Sequence, residues 1–356
     1  MGYNLAAFNL ISRMPEGVKL SVYGKLGLCL CTRCRNLPIG GNHFVFFVLN
    51  VFRRLFSRFF GRLCLFLFLL CFAACTAGCI YADFRCGDDA VKAAVTCADE
   101  AAAMDTVVRL LSMLPGNNLT TPVVYECDGV GQAVCERAEE AIAAFADPDT
   151  VMPLYAKDDG RYNVAFARIG GVACGCIVLA GDDVCDCRAR RAARFMRLCD
   201  AFSLPVITFV DAAAFASLDG ASKVSHAYAE ATCAKITVIT GRAYGPVYIA
   251  AAGKTAGADA VLAWPSAVIS PLAPETAIHI LWSDRMQHMA DPAKEREALA
   301  AEYAATEGSP VKAAAEGYVT DVITPAETAG RLSALLEMLA GKRVSRLPKK
   351  HSNIQL

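Results

Sequence analysis

Short apolar runs alternate with amphipathic helical patterns along the second half of the chain. Apolar stretches rich in β-branched residues predict strands at residues 162–169, 172–179, 206–210, 236–240, 260–263 and 267–270. Helical spacing predicts helices at residues 188–202, 222–234 and about 245–255. Buried strands that alternate with helices are typical of repeated βαβ-type units with both sheet faces covered. The pattern therefore predicts an α/β fold.

The region before these units is helical and rich in alanine. Apolar residues three or four apart predict a helix over residues 88–114, with Asp99 as a good N-cap and a stop at Pro115. Polar turns follow, with a second helix around residues 130–146. We therefore place a domain boundary near residue 86, with residues 86–356 as one folded domain.

Residues 1–85 have a different character. The uncharged stretch 63–82 is just long enough to cross a bilayer as a helix, which makes it a candidate transmembrane segment. Three interpretations stay open: a membrane anchor, a signal peptide with a loose lipid-attachment site, or an atypical N-terminal extension. The arginines that precede the stretch favour a cytoplasmic N-terminus.

Composition narrows the function classes. The chain has 356 residues, 55% of them hydrophobic, and a formal net charge of +0, which argues against a nucleic-acid partner. Its 17 cysteines are scattered, many inside apolar runs, as expected in a reducing compartment. The pairs Cys174-x-Cys176 and Cys185-x-Cys187 do not have the spacing of a zinc ribbon, and we expect no metal site.

The segment 236–255 has a pattern that suits anion stabilisation by the backbone. A buried strand ends at Thr240, a turn follows, and a helix opens near Gly245. The first N–H groups of a helix have no helical carbonyl partner and point towards the crevice at the strand ends. Histidines 226, 279 and 288 lie on predicted helices without a nucleophile motif beside them, and we expect them to be structural or surface residues.

Several blocks occur in the order of a known family: FARIGG, RRAARFMRLCDAFSLPVITFVD, AYAEATCAKITVI, RAYG, GADAVLAWP and a closing PKKHSNIQL. Together they resemble the C-terminal half of the carboxyltransferase subunit of biotin-dependent acyl-CoA carboxylases and decarboxylases, over about residues 88–356. The resemblance implies a crotonase-like (ClpP-like) superhelical β-β-α fold. It also implies carboxyl transfer between carboxybiotin, held on a separate carrier protein, and an acetyl-, propionyl- or methylmalonyl-CoA class substrate.

The resemblance also implies catalytic backbone groups. The family's AYGGAY loop forms an oxyanion hole from the N–H groups of its second glycine and the following alanine, which correspond to Pro246 and Val247. Proline has no N–H. The expected donors are therefore Val247, aided by Gly245, while Pro246 is the departing position and suits an ordinary first helical turn.

Substrate-binding residues follow from the same resemblance. The loop DAAAFASLD at residues 211–219 replaces the family's DVPGFLPG, so that Ala214 stands where a glycine is usual. An alanine there is strained only if its φ is positive. The implied substrate-binding residues are Ala213, Ala214, Phe215, Tyr244 and Ile249, and the apolar Ile249 suits a short acyl group or the core.

Two functional hypotheses remain. The first is an enzyme subunit that works with a partner equivalent to the family's N-terminal half, with a biotin carboxyl carrier protein and within a homo- or hetero-oligomer. The second is a non-catalytic or decayed paralogue that serves as an assembly subunit of a carboxylase or decarboxylase complex, with membrane attachment through residues 63–82. Acyl-CoA and carrier proteins are cytoplasmic substrates, so a cytoplasmic catalytic domain is expected.

Overall fold

The computed structural model of the chain describes residues 94–95, 97, 99–116, 120, 124–127, 134–156, 160–286 and 292–344. The proposed boundary at residue 86, the candidate transmembrane segment 63–82, His288 and the end of the C-terminal tail lie outside these residues and stay predictions. Within the described ranges, no helix is both long enough and apolar enough to cross a bilayer.

Eight strands of the described residues form one mixed sheet in the order β1-β2-β3-β4-β5-β6-β8, and β7 pairs with the far end of β5. The first two pairings are antiparallel, and all pairings from β3 onward are parallel. The strands are β1 Met152–Leu154, β2 Val164–Ile169, β3 Val172–Val184, β4 Val206–Phe215, β5 Lys235–Tyr244, β6 Ala260–Ala263, β7 Val268–Ser270 and β8 Asp321–Val322.

Helices cover the sheet, and a separate small group of helices packs together near its carboxyl edge. The α-helices are α1 Glu100–Met113, α2 Ala141–Phe145, α3 Asp186–Ala201, α4 Leu218–Glu230, α5 Gly245–Val247, α6 Pro274–Leu281, α7 Ser283–Met286, α8 Pro292–Thr306, α9 Pro310–Ala315 and α10 Thr328–Leu339. The described residues also contain a π-helix, Tyr248–Ala252, and two 3₁₀ turns, Lys254–Ala256 and Pro325–Glu327.

The sheet lies between two hydrophobic cores, as the apolar strands predict. Val206 and Val210 of β4 face the core that contains α3 and α4, whereas Ile207 and Phe209 face the core that contains α2 and α10. Alternate residues of a strand point to opposite faces, so a strand buried on both sides must be apolar throughout. The mixed α/β architecture predicted from the sequence is confirmed.

Several predicted boundaries were wrong for local reasons. The helix predicted over residues 88–114 spans Glu100–Met113, and the predicted N-cap Asp99 is confirmed, because its side chain accepts a hydrogen bond from the amide of Ala102. The helix predicted at 222–234 spans Leu218–Glu230. Ser217 caps its start, and the Asp200 carboxylate turns the chain after its end by binding the amide of Cys233 at 2.9 Å.

The largest differences lie around residues 130–146 and after residue 210. The described part of the first region, from residue 134, contains only the five-residue helix Ala141–Phe145, preceded by turns. Residues 211–215, expected as a loop, continue β4, and residues 241–244 likewise continue β5. These strand extensions carry the candidate site.

Candidate active site

The carboxyl ends of β4 and β5 are held together by one carboxylate. The Asp211 Oδ1 atom accepts hydrogen bonds from the backbone N of Arg242 at 2.9 Å and from its Nε at 3.1 Å. The strands pair regularly up to Val210 and Ile239, and the pairing resumes at Ala212 and Ala243. The intervening bulge lets the two chains separate around the carboxylate, as bulges near functional sites often do.

A glycine makes this contact sterically feasible. A Cβ on Gly241 would lie 2.5 Å from Asp211 Oδ1 and 2.6 Å from its Cγ, closer than real Cβ atoms approach. Arg242 also reaches Asp182 Oδ1 at 2.6 Å, and Asp182 is the more exposed of the two carboxylates. The hydrogen bond to Asp182, and then those to Asp211, raise the pKa of Arg242. The bridge links the ends of β3, β4 and β5.

The predicted oxyanion turn follows β5 directly. Gly245 is buried, has φ +23°, and begins the short helix α5. A Cβ at this position would lie 2.5 Å from the carbonyl oxygen of Pro271, so no larger residue fits. Tyr244, the N-cap residue, places no side-chain acceptor on the first turn. The turn lies at the carboxyl edge of the parallel strands, where α/β sheets bind ligands.

Pro246 and Val247 of this turn differ in burial and in whether they have a backbone N–H. The Pro246 side chain is exposed, whereas Val247 is fully buried and anchors the turn in the core. Because proline has no N–H, this turn has one donor fewer than a glycine would give. The amides of Gly245 and Val247 are the candidate donors, and the turn packs against β4.

The helix predicted over residues 245–255 is irregular. Only Gly245–Val247 is α-helical, and the chain then forms the π-helix Tyr248–Ala252, closed by a hydrogen bond from Gly253 N to Tyr248 O of 2.7 Å. The Tyr248 hydroxyl donates to the carbonyl of Tyr318 at 2.7 Å. Single π-turns are rare and frequently occur at functional sites.

The implied substrate-binding residues of β4 lie beside this turn. Ala214 pairs with Asp183 of β3 and Phe215 pairs with Val184, and Ala213 precedes them on β4. All three are partly exposed. Ala214 is not among the described residues with positive φ, so alanine is accommodated there without backbone strain. The substitution of Ala214 for the family's glycine is therefore compatible with an ordered strand end.

Tyr244 connects the turn to a cleft of about 530 Å³. Burial, followed by the charge of Glu275, raises the pKa of Tyr244. The cleft lies against α6 and α8, and its lining includes Val268, Pro274, Ile278, His279, Arg296 and Ala300. Ile249, the residue implied to line the acyl pocket, is 60% exposed and is therefore not part of the core.

Sequence reasoning missed most of this cleft. It assigned no elements after residue 270 beyond placing His279 and His288 on helices, although the small residues Ala300, Ala301 and Ala304 recur at helical spacing on α8. That spacing was the available signal. His279 lines the cleft, whereas His226 lies on α4 beside Glu230. The described residues contain no cluster of three or more His, Cys, Asp or Glu side chains that could hold a metal ion.

Comparison with known proteins decides the family. The family model "Carboxyl transferase domain" matches residues 92–354. The chain belongs to the carboxyl transferase family. It is 36% identical to the propionyl-CoA carboxylase beta chain of Saccharopolyspora erythraea, over 72% of this chain and 54% of that protein. It is 32% identical to the methylmalonyl-CoA decarboxylase subunit alpha of Propionigenium modestum, over 72% of this chain and 55% of that protein.

A solved carboxyltransferase structure has the same fold. The transcarboxylase 12S structure, a hexamer described with methylmalonyl-coenzyme A bound, aligns with a TM-score of 0.64 and 31% identity. The alignment covers 72% of this chain and 54% of the transcarboxylase chain. The chain thus spans about half the length of the curated relatives it matches.

Proposed function

We propose that the protein transfers a carboxyl group between carboxybiotin and a short-chain acyl-CoA, acting as the C-terminal half of a two-part carboxyltransferase site. The observation that carries this proposal is the position of the turn Gly245–Val247 at the carboxyl edge of β4 and β5, in a chain of this family. Its crotonase-like topology and the domain span 86–356 are parts of the same proposal.

The residues at this edge fit that role, although Pro246 leaves the turn with one amide donor fewer than the family's loop has. Carboxybiotin supplies the carboxyl group, and the transfer leaves negative charge on the ureido oxygen of biotin or on the thioester oxygen of the acyl-CoA. The amides of Gly245 and Val247 stabilise such charge, because fixed dipoles need little rearrangement as it develops. The Asp211–Arg242 bridge positions the turn, since it joins the strand that carries the turn to its neighbour.

Substrate recognition is assigned to the surfaces next to the turn. Ala213, Ala214 and Phe215 form one side, and Tyr244 forms the entrance to the cleft. Ile249 presents an apolar surface to a short acyl chain, in keeping with relatives named for propionyl-CoA and methylmalonyl-CoA. A partner that supplies the family's N-terminal half, and a biotin carboxyl carrier protein, complete the proposed system.

Reconstitution tests this function. The purified full chain should show no carboxyl transfer from carboxybiotin to propionyl-CoA by itself, and addition of an N-terminal-half subunit should produce it, because half of the proposed site comes from that partner. A chain with Gly245→Ala, whose Cβ meets the Pro271 carbonyl, should bind the partner but transfer slowly. Transfer at the full rate by the chain alone would contradict the two-part site.

One observation favours a second candidate, an assembly subunit without catalytic activity. Pro246 removes an amide from the position where the family has a donor. Ala214, the other departure from the family's pattern, does not favour this candidate, because its φ is not positive and its backbone is therefore unstrained. If the reconstituted pair assembles but transfers no carboxyl group with any short acyl-CoA, the assembly role is the better description.

A further inference from the structure

The residues that the structure describes contain two Cys-x-Cys pairs, and the surroundings of these pairs differ. Cys174 and Cys176 lie in the interior of β3, both buried, with their Sγ atoms 3.8 Å apart. Cys185 is the N-cap of α3 and Cys187 lies in its first turn, with Sγ atoms 2.8 Å apart. Both thiols of this second pair are partly exposed. Only the second pair thus combines contact between the sulfurs with access from solvent.

The two pairs also differ in thiol chemistry. Burial acts to raise the pKa of Cys185, but hydrogen bonds with Cys187 and the Arg188 amide, together with the Arg188 charge, outweigh it and lower the pKa. The pKa of Cys174 is raised well above its usual value by its hydrogen bond with Cys176 and by burial. Because the thiolate is the nucleophile in disulfide exchange, Cys185 is the better attacking group.

We propose that Cys185 and Cys187 form a redox modification site that closes reversibly to a disulfide by exchange with a small-molecule disulfide such as oxidised glutathione. The Cys185 thiolate attacks one sulfur of the small disulfide, forms a mixed disulfide and releases one small thiol. The Cys187 thiolate then attacks the Cys185 sulfur and releases the second. Two protein thiols are oxidised, and one disulfide is reduced to two thiols that receive the two protons.

The location of the pair gives the oxidation a structural consequence. Cys185 follows Val184, which pairs with Phe215 and whose carbonyl accepts a hydrogen bond from Ala216 N at 3.0 Å. Asp186, between the two cysteines, accepts a hydrogen bond from the side chain of Ser217. A disulfide across Asp186 must change the local backbone, because disulfide geometry is specific. That change acts directly on residues 215–217 at the end of β4.

A single tryptic peptide allows both pairs to be compared. Residues 169–188 lie between Arg168 and Arg188 and contain all four cysteines. The full-length protein is equilibrated with reduced and oxidised glutathione in varied ratios, alkylated without unfolding, digested and fragmented in the mass spectrometer. We expect a disulfide to form between Cys185 and Cys187, which lowers the mass of this peptide by two hydrogens. Cys174 and Cys176 should become alkylated only after unfolding.

Two results would overturn the proposal. In the first, Cys185 and Cys187 both remain alkylatable at the most oxidising ratio. In the second, oxidation stops at a mixed disulfide with glutathione, as expected for an isolated accessible thiol such as the exposed Cys127. Reversal by excess reduced glutathione is part of the expected result, because a permanent oxidation product would be a different modification.

A variant and a structural measurement sharpen the test. Cys187→Ser should accumulate the mixed disulfide at Cys185, because the second attack is no longer available. Hydrogen exchange of the wild-type protein should change at residues 213–217 on oxidation and stay unchanged at residues 206–210 of β4. Equal hydrogen exchange at residues 213–217 in both oxidation states would mean that the disulfide does not affect the end of β4. None of these measurements depends on carboxyl transfer, so their failure is distinct from failure of the proposed function.

Discussion

The two halves of β4 and β5 differ in what stabilises them. The first halves, residues 206–210 and 235–239, lie between the two hydrophobic cores and consist almost entirely of buried residues. The second halves alternate between buried and partly exposed residues, with Ala212 and Ala243 still in one core, and are joined by the Asp211–Arg242 bridge across a bulge. The same strands thus provide a rigid, apolar base and a polar end at which chemistry can take place.

The largest predicted effect concerns the apolar half. Phe209 is fully buried on β4, and its ring stacks on that of Phe145 with centroids 5.9 Å apart. Phe209→Ala should lower the free energy of unfolding by about 3–5 kcal/mol, because it removes buried surface and leaves a cavity. Equilibrium unfolding in urea measures the change.

Leu218→Ala is the matched control, because Leu218 is 84% exposed. It should change the free energy of unfolding by no more than about 0.5 kcal/mol. A similar loss in both variants would mean that burial between the two cores does not distinguish the first half of β4 from its surroundings.

These halves also differ in how well the sequence predicts them. Residues 206–210, 236–240 and 260–263 were predicted as strands and observed as strands, because burial on both faces requires a continuous apolar run. The extension 211–215 was predicted as a loop, because the resembled family has the loop DVPGFLPG at this place. The extension pairs with residues 180–184 of β3, and Asp211 joins it to Arg242 of β5, which is 31 residues away along the chain. Local sequence cannot show such a contact.

The site was predictable to a similar extent. The buried strand, the turn and the helix start at Gly245 could be derived from residues 236–255, and the family resemblance supplied the proposed roles of Val247 and Ile249. The π-turn after Val247 was not predicted, and the hydrogen bond from the Tyr248 hydroxyl at its start to the distant Tyr318 carbonyl cannot be seen in the local sequence. The cleft beside Tyr244 is formed by α6 and α8, two helices to which the strand pattern gave no clue.

The second prediction tests the polar half. Gly241→Ala places a Cβ against the Asp211 side chain, which must then turn away from Arg242. The variant should lose about 1–3 kcal/mol in the free energy of unfolding, as overpacked sites do. It should also lose hydrogen-exchange protection at the Arg242 amide, because Asp211 is the hydrogen-bond partner of that amide.

Gly330→Ala provides the control for the same chemical change. A Cβ at Gly330, inside α10, would meet no atom within 4 Å. Replacement of a helical glycine at a compatible site should stabilise the protein by about 0.4–1 kcal/mol. If the two variants were equally stable, the Asp211 contact would not hold the strand ends together.

The smallest expected effect tests the turn that this polar half presents. Pro246 is exposed, so its replacement leaves the buried contacts of Val247 in place. Pro246→Ala restores a backbone N–H at the position of the family's donor and keeps good helix propensity. One oxyanion donor is typically worth ~10²–10³ in turnover. We expect a gain of only about tenfold here, because the amides of Gly245 and Val247 already supply part of this stabilisation.

Carboxyl transfer from carboxybiotin to propionyl-CoA by the reconstituted pair measures this gain, with Gly330→Ala as a variant whose turnover should not change. Pro246→Gly should show a smaller gain than Pro246→Ala, because glycine loosens the first helical turn by roughly 1 kcal/mol. Urea unfolding verifies that each variant is folded. If both substitutions leave turnover unchanged or reduce it in folded protein, the amide of residue 246 does not face the reacting oxygen, and the proline serves only to begin the helix.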